Sequence, residues 1–265
     1  MPRRRARLAV TAALVAPVLG LGACASVPAT AEPPSSASTG GALRGELTIY
    51  AAASLAGAFD DLAAAFESDN PGIDIRPIVY DGSSTLARQL REGAQADVFA
   101  AADEANMAKV DALIEGDGDI FATNTLVLAT PVGNPADITG LADLADPEVT
   151  VVLCEPEVPC GASSQTLLDA AGVSVTPASL EQNVTAVLTK VASGDADAGL
   201  VYRTDVRDRA DVHSIAPEGA ADVVNRYPIA ALTESAQPRA ARAFVDFVTG
   251  TPGQQILAAY GFGAP

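Results

Sequence analysis

Basic residues, histidine and cysteine are scarce in this chain of 265 residues. Lys and Arg number 16 against 33 Asp and Glu, which gives a formal net charge of −17. Nucleic acids and anionic membrane surfaces are bound by clustered Lys and Arg, so this balance argues against both as partners. One histidine and three cysteines are too few for an ordinary His/Cys zinc site.

The rest of the composition is that of a folded protein. Hydrophobic residues make up 49% and charged residues 18%, far from the polar composition that prevents formation of a core. At about 150 residues per domain, the length predicts two domains.

The N-terminus resembles a bacterial export signal. Four arginines fall within the first seven positions, and an apolar stretch at 8–21 follows, too short and interrupted to favour a spanning helix. It ends in Leu-Gly-Ala-Cys24, which resembles a lipobox, although a plain cleaved signal with a chance cysteine is the alternative. We predict a signal peptide over 1–23, lipidation of Cys24 and a flexible tether over 24–45 rich in Ala, Ser, Pro, Thr and Gly. The protein is then expected on the outer face of the cell membrane.

The two remaining cysteines lie six positions apart, in a segment that contains two prolines. Nearby cysteines of an exported protein usually form a disulfide, so we predict a bond between Cys154 and Cys160, with two free buried thiols as the alternative. Closure of so small a loop stabilises modestly, and its larger effect is to stiffen the loop.

Strand and helix patterns alternate along the body of the chain. Short apolar runs such as 46–50, 96–100 and 149–154 predict strands, whereas apolar residues at helical spacing predict helices, for example over 55–66 and 184–193. Repeated βα units predict an α/β fold with mostly parallel sheets flanked by helices.

The strand-to-helix junctions are rich in hydroxyl groups and free backbone N–H groups. They contain Ser54, the run 83–85, the run 161–164 and the run 183–185. Each is explained on its own by helix capping, for which Ser, Thr and Asn are preferred. Ligands of such sheets gather at the carboxyl ends of the strands, so the four together predict a site where neutral donors and helix dipoles bind a small anion.

Six segments resemble the periplasmic molybdate-binding proteins of ABC importers, in the same order along the chain. They are YAAASL at 50–55, GSSTLARQL at 82–90, GAQADVFA at 93–100, EVPCG at 157–161, GLVY at 199–202 and YGF at 260–262. The resemblance extends from about residue 46 to the C-terminus.

The resemblance implies a type II periplasmic-binding-protein fold, in which two lobes joined by a hinge enclose an oxyanion. We expect lobe 1 to comprise 46–124 plus 223–265 and lobe 2 to comprise 125–222. By position, the implied ligands of molybdate are the hydroxyl-bearing or N–H-donating residues Ser54, Ser83, Cys160, Val184 and Tyr202. Molybdenum would be present only within the bound oxyanion, with tungstate as an equivalent ligand and no cofactor. A monomer that delivers its anion to an ABC permease is expected.

Two positions depart from the family pattern. A small residue such as Ala is common where Cys160 stands, and a neutral residue where Asp81 stands. The donor at Cys160 would be the main-chain N–H, so a cysteine is tolerated. A carboxylate at Asp81 repels an anion unless it points away from the site.

Other functions remain as alternatives. Sulfate is also fully deprotonated near neutral pH and needs only donors, and a sensor that signals to a membrane protein would share every feature. A serine hydrolase needs a base beside its serine, and His213, the single histidine, lies in a predicted short strand.

Overall fold

The structure, a computed structural model, describes residues 42–265. The predicted signal peptide, Cys24 and residues 24–41 of the predicted tether lie outside the described residues. Across residues 42–265, we find no helix with the length and apolar character needed to span a membrane.

Strands and helices alternate through most of the described chain. The strands are β1 Gly45–Leu47, β2 Ile49–Ala52, β3 Ile73–Ile75, β4 Val79–Asp81, β5 Val98–Ala100, β6 Asp119–Pro131, β7 Val151–Cys154, β8 Ser179–Glu181, β9 Ala198–Tyr202, β10 Val212–Ile215 and β11 Val224–Ala231. The helices are α1 Ala56–Asp69, α2 Ser83–Arg91, α3 Glu104–Ala108, α4 Pro159–Ala171, α5 Val184–Ser193, α6 Pro238–Thr249 and α7 Thr251–Ala259. A 3-10 turn, Ala53–Leu55, joins β2 to α1.

Strand β6 belongs to two sheets at once. The strand order is β4-β2-β5-β11-β6-β9-β7-β8, and β10 also pairs with β6. As far as Thr125, β6 pairs with β11, and from Leu126 it pairs with β9, both antiparallel. The pairs β2–β4, β2–β5, β7–β8 and β7–β9 are parallel. The mixed α/β class and the type II fold are therefore confirmed.

Separate hydrophobic cores support the two sheets. One contains the aromatic cluster of Phe59, Phe121 and Phe244 and is built from residues 47–122 and 227–262. A second is built from residues 126–220. A third, smaller cluster is built from residues 86–114 together with Ala230 and Leu232. The lobe boundaries stay predictions. The first of them, between 124 and 125, lies next to the point after Thr125 where β6 changes its partner from β11 to β9.

The start of α4 differs from the sequence-based expectation. Apolar spacing predicts a helix over 165–171, but α4 begins at Pro159. Proline is favoured at the first helical position because its missing N–H needs no partner there. Cys160 therefore lies in the first turn of a helix rather than in a loop.

Candidate functional site

A small cavity lies between the two sheets, at the ends of their strands. Each of the five ligands implied by the resemblance lines it. The lining residues are Ala52, Ala53, Ser54, Asp81, Gly82, Ser83, Ala102, Val158, Pro159, Cys160, Asn183, Val184 and Tyr202.

Ser54 reaches the cavity from the 3-10 turn that follows β2. The small alanines at 52 and 53, which precede it, let the chain turn sharply there. The Ser54 hydroxyl lies 3.1 Å from the hydroxyl of Tyr227, a fully buried residue of β11. Tyr227 thus fixes the position of the Ser54 oxygen from behind the cavity.

Ser83 is the first residue of α2 and is buried. The backbone N–H of Ala102 donates to its Oγ over 3.0 Å. An oxygen that already accepts from the protein has its own proton left to donate. The Ser83 hydroxyl can therefore serve as a donor to a ligand in the cavity.

Lobe 2 supplies backbone donors at two helix starts. Val184 opens α5, and the side chain of Asn183 caps that helix by accepting from Ala186 N at 2.9 Å. Cys160 is the second residue of α4. The first N–H groups of a helix lack partners within the helix, so those of Cys160 and Val184 are available to an acceptor.

A disulfide fastens the start of α4 to the strand before it. It joins Cys154, the last residue of β7, to Cys160. The junction is tight enough to require glycine at 161, where a Cβ would lie 1.9 Å from the Glu155 carbonyl oxygen. The backbone that carries the Cys160 N–H is thereby held in place.

Tyr202 ends β9 and is buried, and both its polar groups have partners. Its N–H donates to Asp205 Oδ2 at 2.8 Å, and its hydroxyl oxygen accepts from Asn225 Nδ2 at 3.0 Å. Burial raises the pKa of Tyr202 well above its usual range. The hydroxyl therefore remains protonated at neutral pH and can donate.

The carboxylate of Asp81 forms a contact between the lobes. Its Oδ1 accepts from Gly82 N at 2.7 Å and from Asn183 Nδ2 at 2.8 Å. Beside it, a Cβ on Gly82 would lie 2.1 Å from the Gln182 carbonyl oxygen. The two lobes are thus in close contact at the edge of the cavity, and the Asp81 carboxylate accepts hydrogen bonds from both of them.

The electrostatics of the cavity depend on dipoles rather than on cations. Among the described residues, none that lines it is Lys, Arg or His. Helices α2, α4 and α5 all begin there, and a helix N-terminus carries about half a positive charge. Neutral donors and three helix starts suit a small anion that needs no proton acceptor.

Sequence analysis missed the polar residues behind the cavity. Asn225 and Tyr227 lie on β11, and Asn124 lies opposite Asn225 on β6. Asn124 Nδ2 donates to Thr204 Oγ1 at 2.8 Å. Asparagine is disfavoured within strands, so its presence in β11 and β6 was a usable signal of a special role.

The features proposed for other chemistries lie elsewhere. His213 is an exposed residue of β10 and does not line the cavity. Within residues 42–265, no group of three or more His, Cys, Asp or Glu side chains could hold a metal ion.

Comparison with known proteins gives a family and close relatives. The model of the family described as bacterial extracellular solute-binding protein matches residues 47–263. The molybdate-binding protein ModA of Mycobacterium tuberculosis is 44% identical over 259 residues, which cover 97% of this chain and 96% of that protein.

Solved structures share the fold at lower identity. The periplasmic molybdate-binding protein of Azotobacter vinelandii superposes with a TM-score of 0.69 at 21% identity, over 83% of this chain and 99% of that one. The sulfate-binding protein SubI from Mycobacterium tuberculosis gives 0.68 at 19% identity, over 82% and 86%. These two nearly equal values establish the fold and do not distinguish between the anions.

Proposed function

The chain belongs to the bacterial extracellular solute-binding proteins, and from this membership we propose that its interlobe cavity captures molybdate, or tungstate in its place. The protein would release the anion to the permease of an ABC importer. The 44% identical relative that bears the name of a molybdate-binding protein supports this choice of ligand.

One observation carries the proposal: uncharged donors from both lobes converge on one cavity that no cation lines, among the residues described. Molybdate and tungstate are fully deprotonated near neutral pH and present only acceptors. Each hydrogen bond to a charged acceptor contributes about 1.5–3 kcal/mol, so several such bonds bind an anion tightly without a counter-charge.

Each lining donor has a distinct role in this proposal. The hydroxyls of Ser54 and Ser83 bind from lobe 1. The N–H groups of Cys160 and Val184 and the hydroxyl of Tyr202 bind from lobe 2. Because the anion would contact both lobes, its binding stabilises the closed arrangement over the open one.

The cellular setting of the proposal rests on the N-terminal sequence and the family. We propose a monomer that works outside the cytoplasmic membrane, is held there by a lipid on Cys24, and uses no cofactor. Members of the family are extracellular, which supports the location. The hydrolase alternative has less support, because the histidine it would use does not line the cavity that Ser54 and Ser83 line.

Isothermal titration calorimetry of the ligand-stripped protein tests the ligand. Molybdate, tungstate, sulfate and hydrogen phosphate are titrated in turn, and elemental analysis of the purified protein identifies any anion it retains. We expect molybdate to bind at least about 100-fold more tightly than sulfate.

Equal affinities for molybdate and sulfate would overturn the molybdate assignment and leave an oxyanion-binding protein of broader specificity. Absence of heat with all four anions would overturn the site itself. Mass spectrometry of the protein extracted from membranes would show whether Cys24 carries a lipid.

A further inference from the structure

Asn225 contacts both sides of the cavity from behind. It lies in β11, is 5% exposed, and does not line the cavity itself. Its Nδ2 donates to the hydroxyl oxygen of Tyr202 at 3.0 Å and to the carbonyl oxygen of Ala102 at 3.1 Å. Its Oδ1 accepts from the Ser163 hydroxyl at 2.6 Å. One side chain therefore connects lobe 1, through Ala102, with Tyr202 of lobe 2.

The orientation of this amide is fixed by its partners. The carbonyl oxygen of Ala102 can only accept, so the atom of Asn225 that faces it must be the NH₂ group. A flipped amide would set two acceptor oxygens against each other at Ala102. The same NH₂ group necessarily donates to Tyr202.

This orientation limits where the Tyr202 proton can point. The hydroxyl oxygen accepts from Asn225, so its own proton is directed away from Asn225 and is available to the neighbouring Tyr227 hydroxyl or to an acceptor in the cavity that Tyr202 lines. Ser83 shows the same arrangement, since its oxygen accepts from the N–H of Ala102. The carbonyl of that same residue is held by Asn225.

We propose that Asn225 is a positioning residue that makes the Tyr202 hydroxyl a donor, and not an acceptor, toward the cavity. The site is thereby selective for fully deprotonated tetrahedral oxyanions over those that carry a proton. This inference rests on the proposed function, because it concerns the same cavity, but it holds for any tetrahedral dianion bound there.

Asn225→Asp reverses the polarity at nearly constant shape, and it also sets a carboxylate oxygen against the Ala102 carbonyl oxygen to which the amide donates. The carboxylate would accept the Tyr202 proton, and Tyr202 would then present a lone pair to the anion. We expect molybdate affinity to fall about 100-fold near pH 8, since one strong donor is lost and an acceptor replaces it. A buried carboxyl has a raised pKa, so affinity should recover in part as pH is lowered toward about 6. Hydrogen phosphate, which carries a proton to donate, should lose less affinity than molybdate.

Asn124→Asp provides the matched control. Asn124 lies opposite Asn225 in the β6–β11 register, and the substitution makes the same change of charge. Its amide donates to Thr204 Oγ1 at 2.8 Å and, over 3.5 Å, to the Tyr227 hydroxyl, and not to Tyr202. We expect a loss of less than about 10-fold in molybdate affinity, because this charge reaches Tyr202 only at long range and contacts the site only through the long hydrogen bond to Tyr227.

A double-mutant cycle with Tyr202→Phe separates positioning from general structural damage. If Asn225 acts through the Tyr202 hydroxyl, adding Asn225→Asp or Asn225→Ala to Tyr202→Phe costs far less than it costs in the wild type. Asn225→Ala introduces no charge, so it provides the same test if the aspartate variant does not fold. Thermal denaturation of every variant establishes that it is folded.

Calorimetry decides the outcome. A pH-independent loss equal to that of Asn124→Asp, or losses that add fully in the cycle, would overturn the inference. If the wild type binds another tetrahedral dianion and not molybdate, the ligand proposal fails, and the same variants are compared with that dianion. A wild type that binds none of the panel overturns both.

Discussion

The two lobes present the same kind of group to the cavity by different means. Lobe 1 offers hydroxyls of Ser54 and Ser83, side chains whose oxygens are held by Tyr227 and Ala102. Lobe 2 offers backbone N–H groups at the starts of α4 and α5, together with the Tyr202 hydroxyl. A substitution can delete the hydroxyl donors, whereas it leaves the backbone N–H donors of lobe 2 in place unless the new residue is proline.

This contrast makes lobe 1 sensitive to side-chain identity and lobe 2 sensitive to backbone geometry. Cysteine at 160 and valine at 184 contribute no polar side-chain group, and what must be preserved is the helix start itself. The Cys154–Cys160 bond and the capping side chain of Asn183 both act on those starts.

Deleting a hydroxyl of lobe 1 should have the largest effect. Ser83→Ala removes a donor and leaves the buried N–H of Ala102 without its partner, so we expect molybdate affinity to fall about 100-fold by calorimetry. Ser84→Ala is the control, because Ser84 is the next residue of α2 and does not line the cavity. An equal loss in both variants would contradict the role of Ser83.

The two main-chain donors of lobe 2 can be removed only by a change of the backbone. Val184→Pro removes one N–H at the first helical position, where proline is well tolerated, and should weaken molybdate binding about 30-fold. Val184→Ala keeps the N–H and should stay within about 3-fold of wild type. If alanine were as damaging as proline, the valine side chain and not its N–H would matter.

The fit between the lobes can be perturbed without touching a donor. Gly82 has φ −58°, so alanine is conformationally acceptable there, but its Cβ would collide with the Gln182 carbonyl oxygen. Gly82→Ala should weaken molybdate binding about 10-fold, and small-angle scattering with molybdate should show a more open molecule. Gly140→Ala, where a Cβ meets no atom within 4 Å, is the control and should bind as wild type does.

Asp205 adds a smaller, pH-dependent effect on lobe 2. Burial raises its pKa to about 7, opposed by the hydrogen bond from Tyr202 N–H. The folded state then holds a proton that the unfolded state has lost, so this residue lowers stability as pH rises from about 4 to 7.

We therefore expect Asp205→Asn to stabilise the protein more near pH 8 than near pH 5, by about 1–2 kcal/mol in the free energy of unfolding. Denaturant titrations at the two pH values measure this. Asp169→Asn removes the same charge at an exposed position of α4 and should show no such difference. A stabilisation that is larger at low pH would contradict the assignment.

Local sequence signals identified part of the site. Hydroxyl and amide side chains at strand-to-helix junctions are recognisable from the chain alone, and Ser54, Ser83 and Asn183 lie at such junctions in the structure. Val184 has no such signal, because its contribution is a main-chain group. The junction 183–185 that contains it was recognised through its neighbours, and only the resemblance to a family singled out Val184. Membership of the solute-binding family is now confirmed.

Other features depend on contacts that are distant in sequence. The partners of Asn225 lie 23, 62 and 123 positions away, so no local pattern could assign them. Strand β6 extends over Asp119–Pro131 because it pairs in turn with strands of both sheets. The early start of α4 was not predicted from the spacing of apolar residues, because its first turn is made of proline, cysteine and small residues.

A cavity lined by no cation among the described residues does not neutralise its guest. Each molecule that takes up a dianion would gain two full negative charges on top of a formal −17. Loaded and empty forms should then migrate as separate bands in native electrophoresis, without any label. Through the same added charge, a membrane partner would bind the loaded and the empty forms of the protein with different electrostatic energies.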